Sequence, residues 1–307
     1  MRRQLLGLSA GAAEGSAEIL LDLALDAARR AGARVRKVRL IDLRIPAEAG
    51  ADDTELWWLW DRLVEADGLI VSTPIMTRTI AARLKLVVDR LLGPNADAAI
   101  IEHLVALRRS GVEPSVPFRV DERVLKPRVA GFLAVGGSLT PQWKTLALPL
   151  LHTVTFSMHI AVVDQAVFGG AGTPRSIVYD ESARERAGRL GANVASQLGL
   201  AFDDVAYLGE PGLCPMCHLD VIELRGTGVT CATCGSRGEL RPGGGVDWTE
   251  LDSSVLSMAE KRAHAAEIQE TAARHQALGK PAVSLPVITP DRPPGTSGAA
   301  HRSGPPG

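Results

Sequence analysis

Aromatic residues make up only 4% of the 307-residue chain, so its core has to be packed from aliphatic side chains. An excess of one charge is also missing: 34 basic residues face 35 acidic ones, a net charge of −1. Bulk electrostatics therefore gives no hold on nucleic acid or on an anionic membrane surface, and neither is expected as a partner. No apolar run approaches the roughly 18–20 residues that a membrane span needs. The start Met1-Arg2-Arg3 followed by QLLGLSAGAA resembles a twin-arginine export signal. Its apolar part is short, however, and Glu14, Glu18 and Asp22 follow at helical spacing, so a cytoplasmic location is expected. The chain has no GxGxxG stretch, which disfavours a dinucleotide pyrophosphate cradle, and no internal repeat. Cysteine is scarce as well, but its four copies form two CxxC pairs, a pattern that in a cytoplasmic chain points to metal rather than disulfides.

What is present is an alternation of short apolar runs and amphipathic helices. Gln4–Leu8 reads as a strand, followed by a loop of small residues and a helix from Ser16 with Ile19, Leu20, Leu23, Ala24, Ala27 and Ala28 on one face. Ser16 is expected to cap that helix. Arg34–Leu43 interleaves charge with apolar residues, as in a strand near a sheet edge. Further strands are expected at 67–72, 128–135 and 159–168, with helices at 53–66, 80–92, 98–109, 141–158 and 180–198. The nearly all-apolar DGLIVS run suggests burial on both faces of a parallel sheet. Five strands alternating with helices argue for a three-layer α/β domain over residues 1–205. A cysteine-bearing module is expected at 206–246, a charged helix at 247–278 and a disordered Pro/Gly/Ser-rich tail at 279–307.

Three strand ends carry turn-type small residues: Ser9–Ser16, Thr73–Thr77 and Gly136–Ser138. Open parallel sheets bind ligands outside the carboxyl ends of their strands. The first loop runs into a helix start, whose free N–H groups and dipole favour an anion. A single phosphate held by Ser9, Ser16 and loop backbone fits this stretch.

The stretches GLSAGAAEGSAEILL (Gly7–Leu21), ADGLIVSTPIMTRTIAARLKLVVDRL (Ala66–Leu91) and AVGGS (Ala134–Ser138) resemble the NADPH-dependent FMN reductase family. The resemblance covers about residues 5–200 and implies a flavodoxin-like, doubly wound parallel sheet in strand order 2-1-3-4-5. It further implies FMN as cofactor, NAD(P)H as co-substrate, a small-molecule acceptor and a homodimer or tetramer. FMN phosphate contacts fall on Ser9, Gly11, Gly15 and Ser16. Ribityl and ring contacts fall on Thr73, Pro74, Ile75, Met76 and Thr77, and on Gly136, Gly137 and Ser138. Two departures stand out: the phosphate loop has Glu14 where relatives often carry Arg or Lys, and Met76 replaces a frequent aromatic residue. Because the flavin would supply the chemistry, no catalytic side chain is assigned. His152 and His159 read as surface or capping residues of the 141–158 helix, and Lys85 with Asp89 as a helix-surface ion pair.

Cys214-Pro-Met-Cys217 and Cys231-Ala-Thr-Cys234 are separated by thirteen residues that read as a hairpin with a Gly-Thr-Gly turn. Two such knuckles can present four thiolates to one tetrahedral ion. Structural zinc in a zinc-ribbon-like module is expected ahead of a rubredoxin-like iron site. The leading expectation is thus an FMN-dependent NAD(P)H oxidoreductase acting on a quinone, a nitro or azo compound, or free flavin. The rival readings are an electron-transfer flavoprotein with iron on the four cysteines and a non-enzymatic protein that docks through its zinc ribbon.

Overall fold

A computed structural model describes residues 3–48, 52–279 and 286. The chain divides into two compact units at Glu267/Ile268. The first holds a five-stranded parallel sheet of β1 (Gln4–Ser9), β2 (Arg34–Arg39), β3 (Gly68–Pro74), β4 (Val129–Val135) and β5 (Ala161–Phe168), in order β2-β1-β3-β4-β5. This is the flavodoxin-like arrangement. β3 and β4 are buried along almost their whole length, whereas β2 alternates charge with apolar residues and lies at the edge.

Helices cover both faces, as right-handed crossovers between parallel strands require. On one face, α1 (Ser16–Arg30) and α6 (Glu181–Ser196) pack on Leu5, Ile70, Leu133 and Val163. A Cβ at Gly191 would lie 1.9 Å from the Ala24 carbonyl oxygen, so only glycine lets these helices approach so closely. On the other face, α2 (Thr54–Glu65), α3 (Ala82–Leu91) and α4 (Ala98–Arg109) enclose Trp60, Leu84, Ile101 and Phe132. The Asp97 side chain caps α4 by accepting from the Ile100 amide.

The chain departs from the expected pattern between β4 and β5. Instead of one helix over 141–158, there are a 3₁₀ turn at Pro141–Trp143, a five-residue α5 (Ala147–Leu151) and a second 3₁₀ turn at His152–Val154. Pro149 is the reason: proline is tolerated in the first turn of a helix and not in its interior, so a helix can begin at Ala147 but not run through from 141. Ser16 differs too. Gly15 occupies the N-cap position and Ser16 is the first helical residue.

Downstream, four short antiparallel strands form a second sheet in chain order: β6 (Ile222–Arg225), β7 (Gly228–Cys231), β8 (Arg237–Leu240) and β9 (Val246–Glu250). Helix α7 spans Met258–Leu278, and its residues from Ile268 onward make up most of what is described of the second unit. The tail expected to be disordered, 279–307, lies outside the described residues except for Gly279 and Pro286. Among the described residues, no helix is long and apolar enough to cross a membrane.

Candidate functional site

The carboxyl ends of β1, β3, β4 and β5 meet at a cleft of about 570 Å³. Its floor is the loop after β1. The Ala10 amide donates to the Ser72 carbonyl at 2.9 Å, tying the loop to β3, and the Gly15 amide closes a turn onto Ala12 at 3.1 Å. No side chain caps α1. The hydroxyls of Ser9 and Ser16 are buried with no hydrogen-bond partner. Buried hydroxyls are seldom left unpaired, and a helix start with free donors is a standing anion site. Gly11 keeps the floor open, since a Cβ there would sit 3.2 Å from the Ala17 Cβ and 3.5 Å from the Pro74 ring.

Glu14 does not point into this floor. Its side chain is exposed, and its amide donates to the Glu18 carboxylate at 2.6 Å. Burial alone would raise the Glu18 carboxyl. Hydrogen bonds from Lys37, the Glu14 amide and Arg39 outweigh it and hold the group down at about 2. Glu18 is therefore an ionised anchor for the loop.

The opposite wall follows β3. The Met76 and Thr79 backbones exchange two hydrogen bonds, at 2.8 and 3.0 Å, around a two-residue turn. Thr77 and Arg78 form its tip at φ 48° and 71°, the left-handed pair of a type I′ turn built without glycine or asparagine. Arg78 donates to the Gln142 carbonyl at 3.0 Å and to the Thr145 hydroxyl at 3.2 Å, joining this turn to the loop after β4. The Thr73 hydroxyl accepts from the Ala81 amide and donates to the Pro74 carbonyl, so it closes the loop from inside.

Of the residues singled out in the sequence, Gly11, Gly15, Ser16, Pro74 and Met76 line the cleft. Ile75 packs beneath Gly136, whose amide bonds to Phe168. Gly137 lies against Gly172, Thr77 sits at the exposed turn tip, and the Ser138 hydroxyl pairs with Thr140. The sequence reading did not single out Ala171–Pro174 after β5, Ile41 after β2, or Arg83, all of which also line the cleft. The run GGAGTP after β5 carried the same small-residue signature as the three ends that were noticed.

The family model described as NADPH-dependent FMN reductase matches residues 4–171, which span all five parallel strands and the cleft loops after β1 to β4. The chain belongs to this family. A flavone synthase of Aspergillus candidus is 34% identical over 259 residues, covering 78% of each chain. A solved flavone reductase is 27% identical with a TM-score of 0.77, covering 93% of this chain and all of that one. The protein is accordingly an oxidoreductase that uses FMN and NAD(P)H on small molecules. The uncapped helix start and the two unpaired hydroxyls fit the phosphate of FMN, and the glycines leave room for it. When bound, FMN supplies a two-electron carrier that takes hydride from the nicotinamide.

This FMN reductase family member also carries a second centre. Cys214, Cys217, Cys231 and Cys234 are all buried, and their sulfurs lie within 4.8 Å of one another. Gly235 (φ 85°) and His218 (φ 58°) follow the two pairs in left-handed backbone, and the His218 and Gly235 amides each donate to the first cysteine carbonyl of their knuckle at 2.9 Å. Four converging thiolates suit a tetrahedral ion. His218 is stacked on Tyr207 with ring centroids 3.8 Å apart, away from any need to ligate.

Neither His152 nor His159 is a surface residue, because the broken helix turns both inward. His159 stacks on Phe202 and bonds through Nδ1 to the Leu256 carbonyl. His152 is 3% exposed, packs edge-on to Phe132 and donates through Nε2 to Gln165 Oε1 at 3.0 Å. The Gln165 amide then donates to the Cys217 carbonyl at 2.8 Å, linking the sheet to the first knuckle. The pair Lys85–Asp89 is an exposed ion pair on α3.

Burial pushes His152 down from 6.5 to about 4 against the opposing Gln165 bond. The unfolded chain then holds a proton more tightly than the folded one. This contribution to stability is complete above pH 6.5 and lost as pH falls from 6.5 toward 4. The loss amounts to about 3 kcal/mol at about 1.4 kcal/mol per pK unit. His152→Phe, whatever its absolute stability, is expected to show a flatter pH dependence of urea unfolding in that window. Equal slopes for the two proteins would refute the assignment.

Proposed function

We propose that FMN binds with its phosphate on Ser9, Gly11, Gly15 and Ser16 and its ring between the 73–77 and 136–138 turns. Hydride then passes from NAD(P)H to the conjugated carbon–carbon double bond of a planar aromatic enone of flavone type. The enone's β-carbon gains the hydride and its α-carbon a proton, while NAD(P)H becomes NAD(P)⁺. The observation that carries the cofactor reading is the pair of buried, unpartnered serine hydroxyls at an uncapped helix start. The acceptor class draws its support from the relative named flavone reductase, with the flavone synthase naming the same double bond in the forming direction, and from the exposed apolar side chains of Met76, Leu139 and Trp143 on the loops after β3 and β4. Those side chains offer flat contact to an aromatic substrate or to a second copy of the chain, and a homodimer or tetramer belongs to the same reading. The four free cysteines fit the reducing cytoplasm.

We assign structural zinc to the four cysteines. Iron at this centre would instead favour the electron-transfer reading. The purified protein is expected to show the paired near-ultraviolet and blue bands of oxidised flavin, bleached by NADPH without oxygen. Adding a flavone should restore the bands and yield a product with two more hydrogens. A colourless protein that takes up no FMN would sink the cofactor reading. Reoxidation by a quinone but not by a flavone would move the acceptor to the quinones.

A further inference from the structure

The phosphate loop contains no cation, yet a guanidinium reaches it from elsewhere in the chain. Arg175 Nη1 donates to Glu14 Oε2 at 2.8 Å, joining the loop after β1 to the loop after β5. Residues 171–174, which lead directly into Arg175, line the same cleft as Ala12, Gly15 and Ser16. Ser16 is the cleft-lining residue whose buried hydroxyl lacks a partner; Glu14 and Arg175 do not themselves line the cleft, but each directly adjoins residues that do, Gly15-Ser16 and Ala171–Pro174.

The pair is poorly suited to a structural role. Both side chains are largely exposed, 63% and 74%, and exposed ion pairs contribute little to stability. Both residues also hold left-handed backbones, Glu14 at φ 56° and Arg175 at φ 63°, a conformation that non-glycine residues adopt at a cost. The two strained positions, each next to cleft-lining residues, meet through a bond too weak to explain them. The family match ends at residue 171, so Arg175 lies beyond the pattern the relatives share in that model.

We propose that Arg175 is the cation of the FMN phosphate site, held by Glu14 while the floor is empty and transferred to the phosphate when FMN binds. This rests on the placement of the phosphate proposed above. A phosphate monoester carries close to two charges and three acceptor oxygens, and a guanidinium fork engages it better than it does a single exposed carboxylate. No covalent step is involved: one charge-assisted hydrogen bond is exchanged for another. Glu14 is then a place-holder that keeps Arg175 beside the cleft, and the missing cation of the first loop is supplied from the end of β5.

The test uses flavin-stripped full-length protein titrated with FMN and with riboflavin, which lacks the phosphate, followed by flavin fluorescence. Arg175→Ala is expected to weaken FMN binding by about tenfold or more, as for loss of a hydrogen bond to a charged group, and to leave riboflavin unchanged. Arg175→Lys, which keeps the charge without the fork, should lose less. Glu14→Gln should tighten FMN and leave riboflavin alone. Raised salt should narrow the gap between wild type and Arg175→Ala for FMN only. An Arg175→Ala protein that binds FMN as wild type does, or that loses FMN and riboflavin equally, would overturn the role of Arg175. Wild-type protein that does not distinguish FMN from riboflavin would instead remove the phosphate placement, and this inference with it.

Discussion

Ser16→Asp is expected to leave the protein folded and colourless. Ser16 is the first residue of α1 and lines the cleft, and its buried hydroxyl is unpaired. A carboxylate there would take the free N–H groups of the helix start and oppose a phosphate at close range. Two like charges about 4 Å apart at an effective dielectric near 20 repel by about 4 kcal/mol, which corresponds to a loss of roughly a thousandfold in FMN affinity. The same substitution favours the helix, since an acidic residue in the first turn complements the dipole by about 0.3–1 kcal/mol. Thermal unfolding of the apo-protein should therefore be unchanged or slightly raised while flavin content falls to background. A yellow Ser16→Asp protein would place the phosphate elsewhere.

Cys214→Ser is expected to release the metal and unfold the module carried by β6 to β9. The module buries few apolar side chains of its own, chiefly Leu219 and Leu256 around the four sulfurs and Val229 and Val246 on its strands. A unit with so small a core needs a staple. In zinc-finger peptides that staple is worth about 10 kcal/mol or more, and it is folding free energy because the site does not exist in the unfolded chain. Metal content should drop from one ion per chain to none, and amide protection should vanish across β6 to β9. FMN content should persist, because the cleft residues belong to the parallel sheet and its loops. Elemental analysis of the wild-type protein decides zinc against iron. A Cys214→Ser protein with its metal and module intact would remove the structural role.

The five parallel strands were legible in the sequence because each is a short apolar run bounded by a helix pattern, and the charged alternation of β2 marked it as an edge. The four-cysteine centre was legible because ligand spacing is a local property. What was not legible depended on context. A helix was expected over 141–158, and Pro149 decided otherwise by limiting where one can start. That break takes His152 from a surface position to a buried one and His159 to a half-buried one. The turn at Thr77-Arg78 carries no glycine or asparagine, so nothing in its composition announced a left-handed pair. The Glu14–Arg175 contact joins residues far apart in the chain, and no local pattern contains it. Small residues marked the cleft, but they could not tell that the Thr73 hydroxyl is spent on its own loop.

The covering of β5 bears on how the protein avoids uncontrolled strand addition at the sheet edge. An open sheet has two outer strands, and each is a template on which another chain can add. β2 is guarded by Arg34, Arg36, Lys37 and Arg39. β5 is guarded differently: its Val163 carbonyl accepts the Leu208 amide at 2.7 Å, and its Gln165 carbonyl accepts from Arg186 at 3.2 Å. Leu208 lies on the segment that leads into the first knuckle, and Gln165 also grips that knuckle through Cys217. The metal proposed for the four cysteines would thus double as a solubility device. Stripping the ion should loosen this cover and leave β5 open to intermolecular strand addition, so that chelated protein precipitates at concentrations where the metal-loaded protein stays clear.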